Sequence, residues 1–341
     1  RLGKSAQAWI LMERNSKIYV AGHTGMVGSA IVRKLKSEGY NNLILKYHRE
    51  LDLLDQEAVK KFFEENNPEY VFIAAARVGG IHANNTYRAQ FIYENLQIQN
   101  NLIHYAYESE VKKLLFLGSS CIYPRNSPQP MKEETLLTGE LEATNKPYAL
   151  AKIAGIEMCE SYYRQHGCQF FSVMPTNAYG PNDNYDLETS HALPALIRKI
   201  HEAKVSGAKE VTVWGSGKPT REFIHVDDIA DGCVFIMGLD FGELYEQGLT
   251  HLNVGTGSEI SIEGLASLLS ELIGYQGTIN YDDSMPDGTS RKVMDVTRIN
   301  QLGWKHKIDL EDGLAMTYSS FVENGVTKSD KENIVFERQT L

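Results

Sequence analysis

Tyr148 and Lys152 stand four residues apart in KPYALAKIAGIEMCESYY, where Pro147 suits the first turn of a helix. On a helix that spacing puts phenol and ammonium on one face, and a nearby cation draws a tyrosine pKa down towards neutrality. A proton donor to a developing alkoxide needs such a group. One element earlier, Leu117-Gly118-Ser119-Ser120-Cys121 closes an apolar run. A hydroxyl from Ser119 could hydrogen-bond a substrate carbonyl there while Tyr148 protonates it and a nicotinamide delivers hydride.

A second cluster is Gly22-His23-Thr24-Gly25-Met26-Val27-Gly28, between the strand-like KIYVAG and a helical pattern through Ala30, Ile31, Val32 and Leu35. Glycines at this spacing allow a tight turn and let backbone N–H groups approach a pyrophosphate, whose charge the helix N-terminus favours. The spacing GxxGxxG is that of short-chain dehydrogenases. After the second strand-like run come Lys46-Tyr47-His48-Arg49, basic where an NAD site usually sets an acid. NADP is therefore the expected cofactor, with His48 and Arg49 towards its 2′-phosphate.

These groups need elements to position them. From Lys17 to Pro175 short apolar runs (KIYVAG, NLILK, YVFIAAA, KLLFLGSS, QFFSVMPT) alternate with helical patterns near 26–38, 55–66, 88–109 and 148–166. That alternation reads as βαβ units, and the unbroken apolar character of YVFIAAA and KLLFLG as strands buried on both faces. The expected fold is α/β, a doubly wound parallel sheet (Rossmann-like) with a smaller, mainly C-terminal α/β substrate domain. Its expected division is 12–178 with 222–257 for the cofactor and 179–221 with 258–325 for the substrate. Residues 1–11 read as an extension and 326–341 as a polar tail.

Composition bounds the partners. With 341 residues, 42% hydrophobic and 23% charged, the chain has ordinary globular usage and room for two domains. Its 34 Lys+Arg against 44 Asp+Glu leave a charge of -10, so no long-range field draws in nucleic acid or anionic lipid, and any anionic ligand must be held locally. No apolar run reaches about 18 residues, which excludes a helical membrane span. Cys121, Cys159, Cys168 and Cys233 have no metal-like spacing, fitting a reducing, cytoplasmic setting and no metal.

The segments GHTGMVGSAI, AAARVGGIHANNTY, LFLGSSCIYP, PYALAKIAG, SVMPTNAYGPNDNY, SHALPALIRK, VWGSGKPTREFIHVDD, NVGTG and PDGTSRK together resemble the extended short-chain dehydrogenase/reductases. Within them, SSCIYP and SHALPALI are similar to members that convert GDP-4-keto-6-deoxy-D-mannose to GDP-L-fucose by 3,5-epimerisation and then NADPH-dependent reduction at C4. The resemblance implies that Cys121 is the base and His191 the acid of epimerisation, while Ser119, Tyr148 and Lys152 serve reduction. On residue type alone, Cys121 equally fits a buried packing role and His191 a helix cap or surface position. The resemblance further implies cofactor contacts from Gly22 to Gly28, from Leu117, Gly118, Ser119 and Ser120, from Lys152 and His191, and from Pro175-Thr176-Asn177-Ala178. For the substrate it implies Lys199, Trp214, Arg221 and Asp287, with the two cations on the GDP pyrophosphate. Trp214 alone could as well be a core tryptophan. Thr24 stands where many bacterial members carry Arg, a loss that His48 and Arg49 could offset. A homodimer through the helices near 88–109 and 148–166 is also implied. Two other readings compete: a cofactor-recycling nucleotide-sugar 4-epimerase or dehydratase, poorly matched by Ser120-Cys121, and a catalytically silent redox-sensing module, opposed by an intact Tyr148 and Lys152.

Overall fold

The computed structural model describes residues 12–187, 189–284 and 287–324; the expected extension 1–11 and tail 326–341 lie outside them. In chain order the first elements are β1 (Ile18–Ala21), α1 (Met26–Ser37), β2 (Leu43–Ile44), α2 (Gln56–Asn66), β3 (Tyr70–Ile73), α3 (Ile81–Thr86), α4 (Arg88–Glu108), β4 (Lys113–Leu117), α5 (Lys146–His166) and β5 (Phe170–Pro175). There follow β6 (Asn177–Tyr179), α6 (Ala192–Ser206), β7 (Glu210–Trp214), β8 (Thr220–Arg221), β9 (Phe223–His225), α7 (Val226–Met237), α8 (Phe241–Glu246) and β10 (His251–Val254). The last are β11 (Ile260–Ser261), α9 (Ile262–Ile273), β12 (Thr278–Asp282), β13 (Arg291–Lys292), α10 (Thr297–Gln301) and α11 (Leu310–Asn324).

Six strands form one sheet in the order β10-β5-β4-β3-β1-β2, and every pairing in it is parallel. This is the doubly wound sheet expected from the alternation of short apolar runs and helices. Successive side chains of a strand point to opposite faces, and here both faces are covered. Ile18 and Val20 enter a core with α1 and α7, while Tyr19 and Ala21 enter another with α2, α4 and α5. Phe72, Leu115 and Leu117 likewise oppose Val71, Leu114 and Phe116. The apolar runs are unbroken because neither face meets water. Ile299 and Trp304, far along the chain, also enter the first core. A third core gathers α6, α9 and α11 around the parallel pair β7 and β12. Among the described residues no helix is long and apolar enough to cross a membrane.

Because the strands are parallel, the C-terminal ends of β1, β3, β4 and β5 open on one edge of the sheet. The chain reverses its winding direction between β1 and β3, and such a switch point leaves a crevice for a ligand. The long helix α5 starts with Pro147 in its first turn and ends on Gly167 in the left-handed conformation, so both its limits follow from local chemistry.

One core residue breaks the apolar pattern. Lys113 on β4 is buried and donates to the carbonyl oxygens of Met237 and Leu239 where α7 ends. Burial lowers its pKa to about 8, with Asp240 opposing. The unfolded chain, with an ordinary lysine near 10.4, then holds the extra proton between about pH 8 and 10.4. Stability is therefore expected to rise across that window by up to ~3 kcal/mol from this group, and the penalty is felt in full below it. The Lys113→Met variant should lack the rise, so that thermal unfolding of parent and variant at about pH 7.5 and pH 10 gives diverging stabilities; parallel curves would contradict the assignment.

Candidate active site

The glycine-rich turn sits at the crevice. Gly22 adopts φ +79°, and a Cβ there would come within 2.7 Å of the Ala75 nitrogen beyond β3; a Cβ on Gly28 would come within 2.0 Å of the Gly22 carbonyl oxygen. Side chains would fill this cradle. Gly25 caps α1, whose first turn carries no acidic residue, so its free N–H groups meet no competing carboxylate. His23 Nδ1 is buried there without a protein partner. The residues present fit a pyrophosphate-bearing dinucleotide. Met26 and Val27 are partly buried against the first core, and Thr24 is exposed. On the outer side Tyr47, His48 and Arg49 are all exposed; the Tyr47 ring lies 4.8 Å from that of His23 and 5.5 Å from the Arg49 guanidinium carbon.

At the end of β4, Gly118 donates to the Val173 carbonyl at 2.8 Å, and Ser119 is extended before a single 3-10 turn, Ser120–Ile122. The Ser119 Oγ accepts from the Cys121 amide at 3.4 Å, and its hydroxyl favours the ionised form of both the Cys121 thiol and the Tyr148 phenol. Lys152 is buried, donates to the Leu117 carbonyl at 2.8 Å, and stands 5.7 Å from the centre of the Tyr148 ring. Serine, thiol, phenol and ammonium thus meet in one place.

Burial dominates their electrostatics. It raises the Tyr148 phenol above its ordinary value, with the Cys121 charge adding to the rise and Ser119 opposing. The expected fall towards neutrality does not occur: the Lys152 ammonium is turned onto Leu117, and desolvation is the largest influence on the phenol. Lys152 itself is lowered by burial to about 8. The Cys121 thiol is raised by burial, against the pull first of Lys292, then of Ser119 and Lys152.

His191 caps the N-terminus of α6. The loop before it rests on the start of α3, where Gly80 donates to the Thr189 carbonyl at 2.8 Å. His191 is exposed and Tyr148 partly exposed, and desolvation is the largest influence on both. Burial, then Lys292, lowers the His191 pKa.

Lys292 faces both Cys121 and His191 electrostatically and was not among the residues that sequence reading singled out. It lies on the two-residue strand β13, whose pairing with β8 sets Lys292 opposite Arg221. Neither spacing nor periodicity marks such a residue. Pro175 ends β5, the Thr176 amide donates to Val254, and Asn177 Nδ2 donates to the Glu222 carbonyl at 2.7 Å; Ala178 pairs with Ile224.

The expected substrate residues form a group of their own. Trp214 is 64% exposed at the end of β7, so it is not a core residue. The Lys199 ammonium is 5.4 Å from the centre of its indole and donates to Thr212. Asp287 accepts from the Ser216 amide at 2.8 Å and its hydroxyl at 2.7 Å, and its charge acts on Arg221.

Residues 18–255 match the NAD dependent epimerase/dehydratase family. The chain belongs to that family. It is 57% identical over 314 residues to GDP-L-fucose synthase 1 of Arabidopsis thaliana, covering 92% of this chain and 95% of the relative. With GDP-L-fucose synthase of Escherichia coli K12 it shares 54% over 311 residues, 90% of this chain and 97% of the other. Among solved structures, a GDP-L-fucose synthetase from Naegleria fowleri bound to NADP superposes with a TM-score of 0.85 at 28% identity, covering 95% of this chain and 99% of that one. The epimerase/dehydratase family match ends at 255, so Asp287 and Lys292 lie beyond the family's shared segment, where the longer alignments to the fucose synthases still run.

Proposed function

We propose that the chain converts GDP-4-keto-6-deoxy-D-mannose to GDP-L-fucose, inverting C3 and C5 and then reducing the C4 ketone with NADPH. Identities of 57% and 54% to GDP-L-fucose synthases over nine-tenths of the chain support this reading. The observation that carries it is that Cys121 stands with Ser119, Tyr148 and Lys152, and that one cation, Lys292, acts on both Cys121 and His191. Reduction of a ketone needs one proton donor. Inversion beside a ketone needs a base on one face of the sugar and an acid on the other.

In this reading Cys121 as thiolate takes the proton from C3 or C5, the C4 oxygen gathers the negative charge, and His191 returns a proton to the opposite face. The Ser119 hydroxyl stabilises that oxygen while the enolate exists. Bound NADPH supplies the hydride to C4. Tyr148 then gives its proton to the resulting alkoxide; a phenol raised above its usual pKa is fully protonated and ready to do so. Lys152 holds the phenol end of α5 against Leu117. The glycine cradle, the strand end 117–120 and the 175–178 loop receive the cofactor, with His48 and Arg49 on the 2′-phosphate. Lys199 and Arg221 take the GDP pyrophosphate, Trp214 offers an apolar plate and Asp287 fixes the adjoining turn. A cytoplasmic homodimer is part of the same reading; the packed pair α4 and α5 carries exposed Tyr93 and Leu150, which support association through these helices.

Purified protein given GDP-4-keto-6-deoxy-D-mannose should oxidise NADPH stoichiometrically and release GDP-L-fucose, with NADPH used in preference to NADH. Unchanged NADPH absorbance would overturn the proposal, and a product epimeric at C4 alone would point instead to a recycling 4-epimerase.

A further inference from the structure

Glu222 is a completely buried carboxylate that touches none of the proposed reacting groups. Its Oε1 accepts from the backbone amides of Thr256 at 2.6 Å and Gly257 at 2.8 Å, and its Oε2 from the amide of Met294 at 2.7 Å. Gly255 makes room for it, since a Cβ at that position would come within 2.3 Å of Oε1. Met294 lies two residues beyond Lys292, and the Glu222 amide donates to the Lys292 carbonyl at 3.3 Å. The backbone carbonyl of Glu222 faces the other way and accepts from Asn177 Nδ2 at 2.7 Å. One residue therefore links three segments: the start of β6, the loop after β10, and the segment of β13 carrying Lys292. Burying a carboxylate is costly unless several donors satisfy it. Here the donors are three backbone amides and, at 3.4 Å, the Thr256 hydroxyl, and burial still raises its pKa.

We infer that Glu222 is a positioning residue for epimerisation: its side chain fixes the segment of Lys292 opposite Arg221, and so sets the cation beside Cys121 and His191. The inference rests on the proposed epimerase-reductase reading. The division of labour within Glu222 makes it testable. A change of side chain disturbs the substrate segment through Met294, whereas the tie to Asn177 on the cofactor side is made by backbone and remains.

Glu222→Gln keeps shape but sets an amide NH2 against backbone donors, leaving a buried donor unpaired. The expected result is a loss of solvent deuterium exchange at C3 and C5 of about tenfold or more, with a raised KM for the GDP-ketosugar, while the Kd for NADPH stays within about twofold. Gly255→Ala, which pushes on the same carboxylate without altering charge, should give the same pattern and serves where Glu222→Gln does not fold. Combined with Lys292→Met, Glu222→Gln should add little further loss, since both act through one group. Exchange at the parent rate in either folded variant, a parallel loss of NADPH affinity, or full additivity with Lys292→Met would overturn the inference. An absence of C3 and C5 exchange in the parent protein would instead overturn the proposed function.

Discussion

Tyr148→Phe is expected to lose C4 reduction by about a hundred- to ten-thousandfold, the usual worth of a positioned proton donor, while proton exchange at C3 and C5 continues. The variant removes one oxygen and little else. The ring packs edge-on against Phe91, with centroids 6.2 Å apart, and Lys152 is held by the Leu117 carbonyl, so neither contact depends on the hydroxyl. Ser119 keeps its bond to the Cys121 amide. Rapid-quench assays with NADPH, read beside deuterium incorporation by mass spectrometry, separate the two activities. Reduction at the parent rate would remove Tyr148 from the proton-donor role, and exchange falling together with reduction would show that its hydroxyl is needed for the enolate as well.

Cys121→Ser should do the reverse. A serine hydroxyl is a far weaker base source than a thiol, so exchange at C3 and C5 is expected to fall by about two orders of magnitude or more, with NADPH affinity unchanged. The pH profile adds a sign. Burial raises the Cys121 thiol, and Lys292, Ser119 and Lys152 only partly offset it; the thiolate is then scarce at neutral pH and grows as pH climbs. Exchange by the parent should climb with pH where thiolate forms and fall where His191 loses the proton it returns, and the thiol-dependent limb should vanish in Cys121→Ser. Deuterium incorporation at the parent rate in that variant would exclude Cys121 as the base.

Much of the fold could be read from the chain because its signals are local. Strand and helix alternate in runs whose apolar periods differ, and Pro147 and Gly167 mark the limits of α5 by their own backbone preferences. The glycine turn is likewise local: Gly22, Gly25 and Gly28 are close in sequence and close in space, and the fit of turn to helix is settled within seven residues. Tyr148 and Lys152 share a face because they share a helix. One helical pattern was less simple than it looked, for a separate short helix, α3, precedes α4 across Tyr87.

What the sequence by itself determined, then, is the parallel doubly wound sheet, the glycine cradle at its first turn and the one-helix spacing of phenol and amine; all depend on neighbours along the chain. Only the tertiary structure decided which distant groups share the cleft. Lys292 reaches Cys121 through a two-residue strand paired with another two-residue strand, and Glu222 acts at residues 34 to 72 positions away. Trp214 is exposed because β7 lies beside β12 alone. The protonation of Tyr148 and Cys121 also belongs to this level, because desolvation is a property of everything packed around a group, and it is the largest influence on both.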